Sequence, residues 1–273
     1  MDQTPEVSIV GCGWYGWPLA ERLNASGWTV KGSKSTAAGA EALRVGGIDG
    51  YLLHLDPDPG SEVDKSLFDA DVLVVNIPPR RRPDIEIYHV AQMQALGKLV
   101  RESPVSKVLF ISATSVYPNV NGIVTELDDL LPDRAAGRAL KRAEEYWRSN
   151  SQVRTTVLRF AGLVGGDRDP GRFLAGKCNV ENGDAPVNLI HLDDCLAITL
   201  EIIEQAVWGE TFNACCPEHP VRREFYPEAA RKSGLAEPTF SDETTSAYKQ
   251  VDSSLLMRRL KYHFIYPDPM KFP

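Results

Sequence analysis

With 273 residues, 43% of them hydrophobic and 25% charged, the chain has the make-up of a folded globular protein, which argues against a disordered or low-complexity one. Thirty basic against thirty-seven acidic residues leave a net charge of −7 and a pI near 5.3, which excludes a general attraction for nucleic acid or an anionic membrane surface. No stretch reaches the roughly 20 apolar residues of a membrane span, and the start MDQTPEVSIVGCG lacks the basic-then-apolar pattern of a signal peptide, so a cytoplasmic location is expected.

Residues 6–10 form a short apolar run ending in glycines, 16–27 read as a helix, and 28–30 open a second strand, the start of a βαβ unit. An Ala/Leu-rich helix at 37–45 follows, then strand-like YLLHL and ADVLVVNI, a helix at 85–102, the strand KVLFIS, a helix at 134–148 and the strand TTVLRF. Fully apolar strands alternating with helices imply a parallel sheet covered on both faces. Beyond it the periodicity weakens through GLVGGDRDPGRFLAGK, after which come VNLI, a helix from Leu192 to about Val207, TFNAC, a helix at 223–233 and a tail rich in Tyr and Pro. The expected fold is α/β, a doubly wound parallel sheet of the Rossmann kind over 1–165. A smaller C-terminal substrate-binding region spans 166–273, contributes strands at 187–190 and 211–215, and shares one core with the first lobe. The scattered cysteines Cys12, Cys178, Cys195, Cys215 and Cys216 show no C-x-x-C spacing and read as reduced thiols, the adjacent pair as a small apolar pair in a buried strand.

Gly11, Cys12, Gly13, Trp14, Tyr15 and Gly16 fit G-x-G-x-x-G directly after a strand and before a helix. Gly11 suits the tight turn, Gly13 a close approach of pyrophosphate to the backbone, and Gly16 close helix packing. An NAD site usually places an acid about 20 residues further on, to hold the ribose hydroxyls. Here Gly32, Ser33, Lys34, Ser35 and Thr36 stand there instead. The missing acid favours a phosphorylated ribose, with hydrogen bonds from Ser33 and from Ser35 or Thr36 and charge from Lys34, hence NADP(H) over NAD(H). Asp56 falls where a side chain meets adenine, and Asn76, Ile77, Pro78 and Pro79 end a strand over the cofactor crevice.

Taken in order, the GCGWYG loop, VLFIS with Ser115, Val116 and Tyr117, the segment Leu158, Arg159, Phe160, and VNLIHLDD resemble the extended short-chain dehydrogenase/reductases. Within that group the chain is most similar to atypical members of the NAD-dependent epimerase/dehydratases, over nearly its whole length. The resemblance implies a Ser or Thr holding the substrate oxygen, a Tyr acting as acid and base, and a Lys four residues later. The hydroxyl position falls on Ala113, flanked by Ser112 and Thr114; the Tyr position falls on Gly137 and the Lys position on Lys141. Thr114, Ser115 and Lys141 therefore stand as the catalytic candidates, Ser112 lies on the cofactor side, and Tyr117 belongs with the scaffold. His191 with Asp193 or Asp194 has the composition of an acid/base pair, but the resembling segment is structural, its aspartate capping the next helix.

Arg80, Arg81 and Arg82 can clamp a carboxylate or phosphate or form a solvated run, and Arg172 and Lys177 recur in the loop-rich region, where an anionic small molecule would fit. Ala161 and Gly162 stand where nucleotide-sugar members carry Asn, which disfavours a nucleotide-sugar epimerase. The resulting expectation is an atypical NAD(P)-dependent oxidoreductase acting on a small carbonyl or alcohol, with a homodimer as the resemblance implies and no nucleic-acid or membrane partner. The alternative is a non-catalytic NADP(H)-binding redox sensor or regulatory protein; isomerisation or dehydration with a retained cofactor is a third course.

Overall fold

A computed structural model describes residues 5–57, 63–242 and 247–273. In chain order the elements are β1 (Glu6–Val10), α1 (Gly16–Ala25), β2 (Thr29–Lys34), α2 (Ala37–Val45), β3 (Asp49–Leu52), β4 (Val72–Val75), α3 (Ile85–Arg101), β5 (Lys107–Ala113) and β6 (Gly122–Val124). There follow α4 (Ala135–Ser149), β7 (Arg154–Phe160), β8 (Gly162–Val164), β9 (Leu189–His191), α5 (Leu192–Glu204), β10 (Thr211–Ala214), α6 (Arg222–Lys232), β11 (Lys249–Val251) and α7 (Ser254–Leu260). Seven strands form a parallel sheet in the order β10-β7-β5-β4-β1-β2-β3, the Rossmann-like α/β architecture expected from the sequence. The order reverses between β1 and β4, whose register pairs Val7 with Val72 and Val10 with Val75. Ligands of doubly wound sheets bind outside the carboxyl ends of the strands at such a switch point.

The chain divides into two compact units. The first comprises Met1–Ala113, Arg134–Leu158 and Leu200–Thr211. All four side chains of β4 are buried, as a strand with helices over both faces requires. Leu19, Ala20 and Leu23 give α1 its inward stripe, and Thr36 caps α2 by accepting the Gly39 amide at 3.1 Å. Phe68, Leu73, Met93, Leu96, Phe110 and Trp147 fill the core. Helices α3 and α4 pack so closely that a Cβ at Gly97 would stand 1.9 Å from the Tyr146 hydroxyl.

The second unit comprises Thr114–Asp133, Arg159–Thr199 and Phe212–Pro273. It holds two small parallel ladders, β11 with β6 and β8 with β9, and an apolar cluster of Val164, Val187, Leu189, Cys216, Phe225, Ala229 and Phe272.

Several boundaries differ from the sequence reading. The third strand begins at Asp49 rather than Tyr51, and α5 stops at Glu204, with Ala206 turned into the left-handed region at φ 51°. The three-residue strands β6, β8 and β11 and the helix α7 within the Tyr/Pro-rich tail were not anticipated. Among the described residues no helix is long and apolar enough to cross a membrane.

Candidate functional site

The glycine loop joins β1 to α1 at the switch point, and each of its glycines meets a different demand. Gly11 has φ +101°, and a Cβ there would lie 2.3 Å from the Asn76 carbonyl oxygen. A Cβ on Gly16 would lie 2.4 Å from the Gly11 carbonyl oxygen. Both positions exclude side chains because the protein's own backbone occupies the space. At Gly13, by contrast, a Cβ would meet nothing within 4 Å, and the residue is exposed. Asn76, just beyond β4, pins the loop by donating its side-chain amide to the Gly11 carbonyl at 2.9 Å. Trp14 is half-buried, Tyr15 is buried, and Pro78, two residues past Asn76, is exposed.

The end of β2 sorts the four polar residues proposed for a ribose phosphate. Ser33 is buried, its hydroxyl accepts the Gly11 amide at 3.2 Å, and its carbonyl accepts the Cys12 amide at 2.9 Å. The Thr36 hydroxyl accepts the Gly39 amide as the α2 cap. Ser35 is exposed, and the Lys34 ammonium stands 5.1 Å from the centre of the Trp17 ring. Cys12 sits inside the loop with its thiol buried and pushed up to about 12 by that burial, which leaves it inert.

Asp56 and the arginine run form one surface cluster in the first unit. The Tyr88 hydroxyl donates to Asp56, His54 Nε2 lies 2.9 Å from its other oxygen, and Arg80 approaches at 3.7 Å. The Tyr88 bond, ahead of the nearby cations, holds the Asp56 carboxyl below the usual range, and the same bond raises the phenol. Arg82 is committed to Asp84 and stacks over the Tyr88 ring at 3.6 Å, whereas the Arg80 side chain remains about half exposed, at 48%.

Ser112 near the end of β5 donates to Glu144 of α4 at 2.5 Å, with both residues buried. This bond fixes the register of α4 against β5, and sequence reasoning did not assign Glu144 a role. Gly137, at the family Tyr position, is buried one turn before the half-buried Lys141. Ala113 closes β5 in the first unit; Thr114, buried, and Ser115, exposed, open the second with a 3-10 turn.

In the second unit Tyr117 is only 3% exposed, donates to Asn213 Oδ1 at 2.8 Å and accepts from Arg159. The Asn213 amide donates to Glu126 at 2.8 Å, and burial raises both the Glu126 carboxyl and the Tyr117 phenol. His191 is held by stacking on Tyr266 at 4.4 Å, and its Nδ1 accepts the Asp193 amide at 3.2 Å at the start of α5. Burial lowers its pKa despite both neighbouring aspartates. Asp194 lies in the first turn of α5 and turns its carboxylate to the tail. Fully buried, it accepts from the Tyr262 hydroxyl at 2.7 Å, the Ile265 amide at 2.7 Å and the Tyr266 amide at 3.1 Å, so it ties down the C-terminal tail. Arg172 and Lys177 are exposed, the former 3.7 Å from Asp169. All five cysteines are free thiols, and the Cys215–Cys216 pair is buried.

No protein-family model matches the chain. It is 38% identical over 271 residues to Protein YeeZ of Escherichia coli K12, covering 98% of each chain. Among solved structures, a functionally unknown conserved protein from Silicibacter pomeroyi matches with a TM-score of 0.79 at 23% identity, over 98% of this chain and 96% of that one. UDP-glucuronic acid 4-epimerase from Bacillus cereus, solved in complex with NAD, matches with a TM-score of 0.75 at 18% identity, over 97% and 95% of the two chains. The chain therefore belongs to the family of YeeZ, built on the fold of the extended short-chain dehydrogenase/reductases and NAD-dependent epimerase/dehydratases.

Proposed function

We propose that this protein binds a nicotinamide dinucleotide on the loop from Gly11 to Gly16, prefers NADP(H), and acts as an oxidoreductase of the epimerase/dehydratase type on a small substrate. The observation that carries the reading is Gly13. The lack of a side chain at Gly11 and Gly16 is explained by backbone packing, whereas Gly13 faces open space. A glycine there is of use to a ligand whose phosphates approach the backbone at a helix N-terminus. The NAD-bound epimerase sharing the fold supports the cofactor class.

When bound, the nicotinamide supplies a hydride donor or acceptor; the chain's own residues hold and orient it. Gly13 and the first amides of α1 receive the pyrophosphate, Asn76 keeps the loop in shape, and Lys34 with Ser35 receives the 2′-phosphate. Ser33 acts from behind, through its bond to the Gly11 amide. Of the hydroxyls around Ala113, Ser112 is engaged by Glu144 and Thr114 is buried, so Ser115 is the exposed one we assign to the substrate. Arg80 is the cation assigned to an anionic substrate group. Without the family tyrosine, proton delivery falls to water, to a hydroxyl or to the substrate, and losing one positioned acid costs about 10² to 10⁴ in rate.

The second reading, an NADP(H)-binding regulatory protein without turnover, is favoured by the closure of Tyr117. The Tyr117 phenol, two residues past Ser115, is 3% exposed and engaged by Arg159 and Asn213.

Titration of the purified protein with NADPH, NADP+, NADH and NAD+, repeated with Lys34→Ala, tests the proposal. NADPH is expected to bind most tightly and to lose roughly 10- to 100-fold in Lys34→Ala, the worth of one charge-assisted contact. Failure of all four to bind would end the oxidoreductase reading. Turnover of a carbonyl panel then separates the enzyme from the regulatory protein.

A further inference from the structure

We infer that Trp17 is a positioning residue for cofactor selectivity: with Gly39 it clamps Lys34 into a fixed cation at the end of β2, ready for a 2′-phosphate. The inference rests on the NADP(H) preference proposed above and deepens it.

A surface lysine is ordinarily a mobile point charge on a flexible stem, and ordering it costs side-chain entropy when an anion arrives. Lys34 departs from that pattern at both ends. Its stem lies against Gly39, where a Cβ would come within 3.0 Å of Lys34 Cβ and 3.1 Å of Lys34 Cγ. Its ammonium lies over the Trp17 ring, 5.1 Å from the centroid, within the range of a cation–π contact. The ring itself is fixed on two sides. Its Nε1 donates to Glu21 at 2.8 Å, one turn along α1, and its far edge packs on Gly46, where a Cβ would stand 3.2 Å away.

Among the described residues no carboxylate pairs with Lys34, so the clamp holds a cation with its charge unspent. An aromatic face attracts the ammonium without neutralising it, unlike a salt bridge, which would have to be broken before phosphate could bind. Trp17 follows the glycine loop by one residue and Lys34 ends the adjacent strand, so one indole couples the pyrophosphate end of the cradle to its ribose end.

The test compares NADPH and NADH dissociation constants for the wild type, Lys34→Ala, Trp17→Leu, Trp17→Phe and Gly39→Ala, with thermal denaturation to show that each variant is folded. Trp17→Leu and Gly39→Ala are each expected to reduce the NADPH-over-NADH selectivity about two- to five-fold. Trp17→Phe, which keeps an aromatic face, should restore most of it. If Lys34→Ala erases the selectivity while Trp17→Leu and Gly39→Ala leave it at the wild-type value, the clamp is refuted and the phosphate reading stands. If Lys34→Ala itself leaves the selectivity unchanged, the NADP(H) preference fails and the clamp with it.

Discussion

Two polar regions of this molecule are built on opposite plans. In the glycine loop the protein satisfies its own backbone at Gly11 and Gly16 and leaves Gly13 facing open space. In the network of Tyr117, Arg159, Asn213 and Glu126, a buried phenol, guanidinium and amide and a half-buried carboxylate are turned on one another. An opening beside the backbone is what the proposed dinucleotide needs, whereas a closed set of hydrogen bonds serves stability. The comparison teaches that the glycine loop leaves space beside its backbone at Gly13, whereas Tyr117 is closed off by its own partners.

The largest expected effect lies at a second closed set of hydrogen bonds, the one around Asp194. Asp194, itself buried, accepts three hydrogen bonds from the tail, so Asp194→Ala leaves one hydroxyl and two amides without their acceptor. We expect a loss of about 3 kcal/mol or more, read by urea denaturation, with no selective change in cofactor affinity. A loss below about 1 kcal/mol would show that the tail is held by packing alone. On the open side, Gly11→Ala places a methyl against the Asn76 carbonyl at φ +101° and should cost about 1–3 kcal/mol, seen as a lowered melting temperature.

The smallest expected effect is on pH dependence. Burial holds His89, His191 and His219 below the ordinary imidazole value of 6.5. Below about pH 6.5 the unfolded chain binds protons that the native chain refuses, so stability is full above that value and falls as the pH drops towards the folded pKa of each ring. Each histidine contributes at most about 1.4 kcal/mol per pH unit in that window. His89→Gln should flatten the slope between pH 7 and 5; an unchanged slope would mean that this ring takes its proton without unfolding.

The helices were largely legible in the sequence because their apolar positions recur with helical spacing; Ala37–Val45 was read as it folds. The three-residue strands were not, since three residues carry no period, and α7 was hidden within a tail whose Tyr and Pro dominate the reading. The glycine loop was legible because its chemistry is carried by neighbouring residues. Glu144 and Trp17 were not, because each acts on a residue far away in the chain, Ser112 and Lys34, and only the packing of a helix on a strand brings them together. Asp194 shows the same limit: an aspartate opening a helix reads as a cap until a segment some 70 residues later takes its carboxylate.

The most direct test of the open cradle is the dissociation constant of NADPH for Gly13→Val, measured by calorimetry beside the wild type. A Cβ at Gly13 would meet nothing within 4 Å. The account predicts an unchanged melting temperature and the loss of detectable NADPH binding. Binding of wild-type strength to folded Gly13→Val would contradict it, because the opening at Gly13 would then serve no dinucleotide.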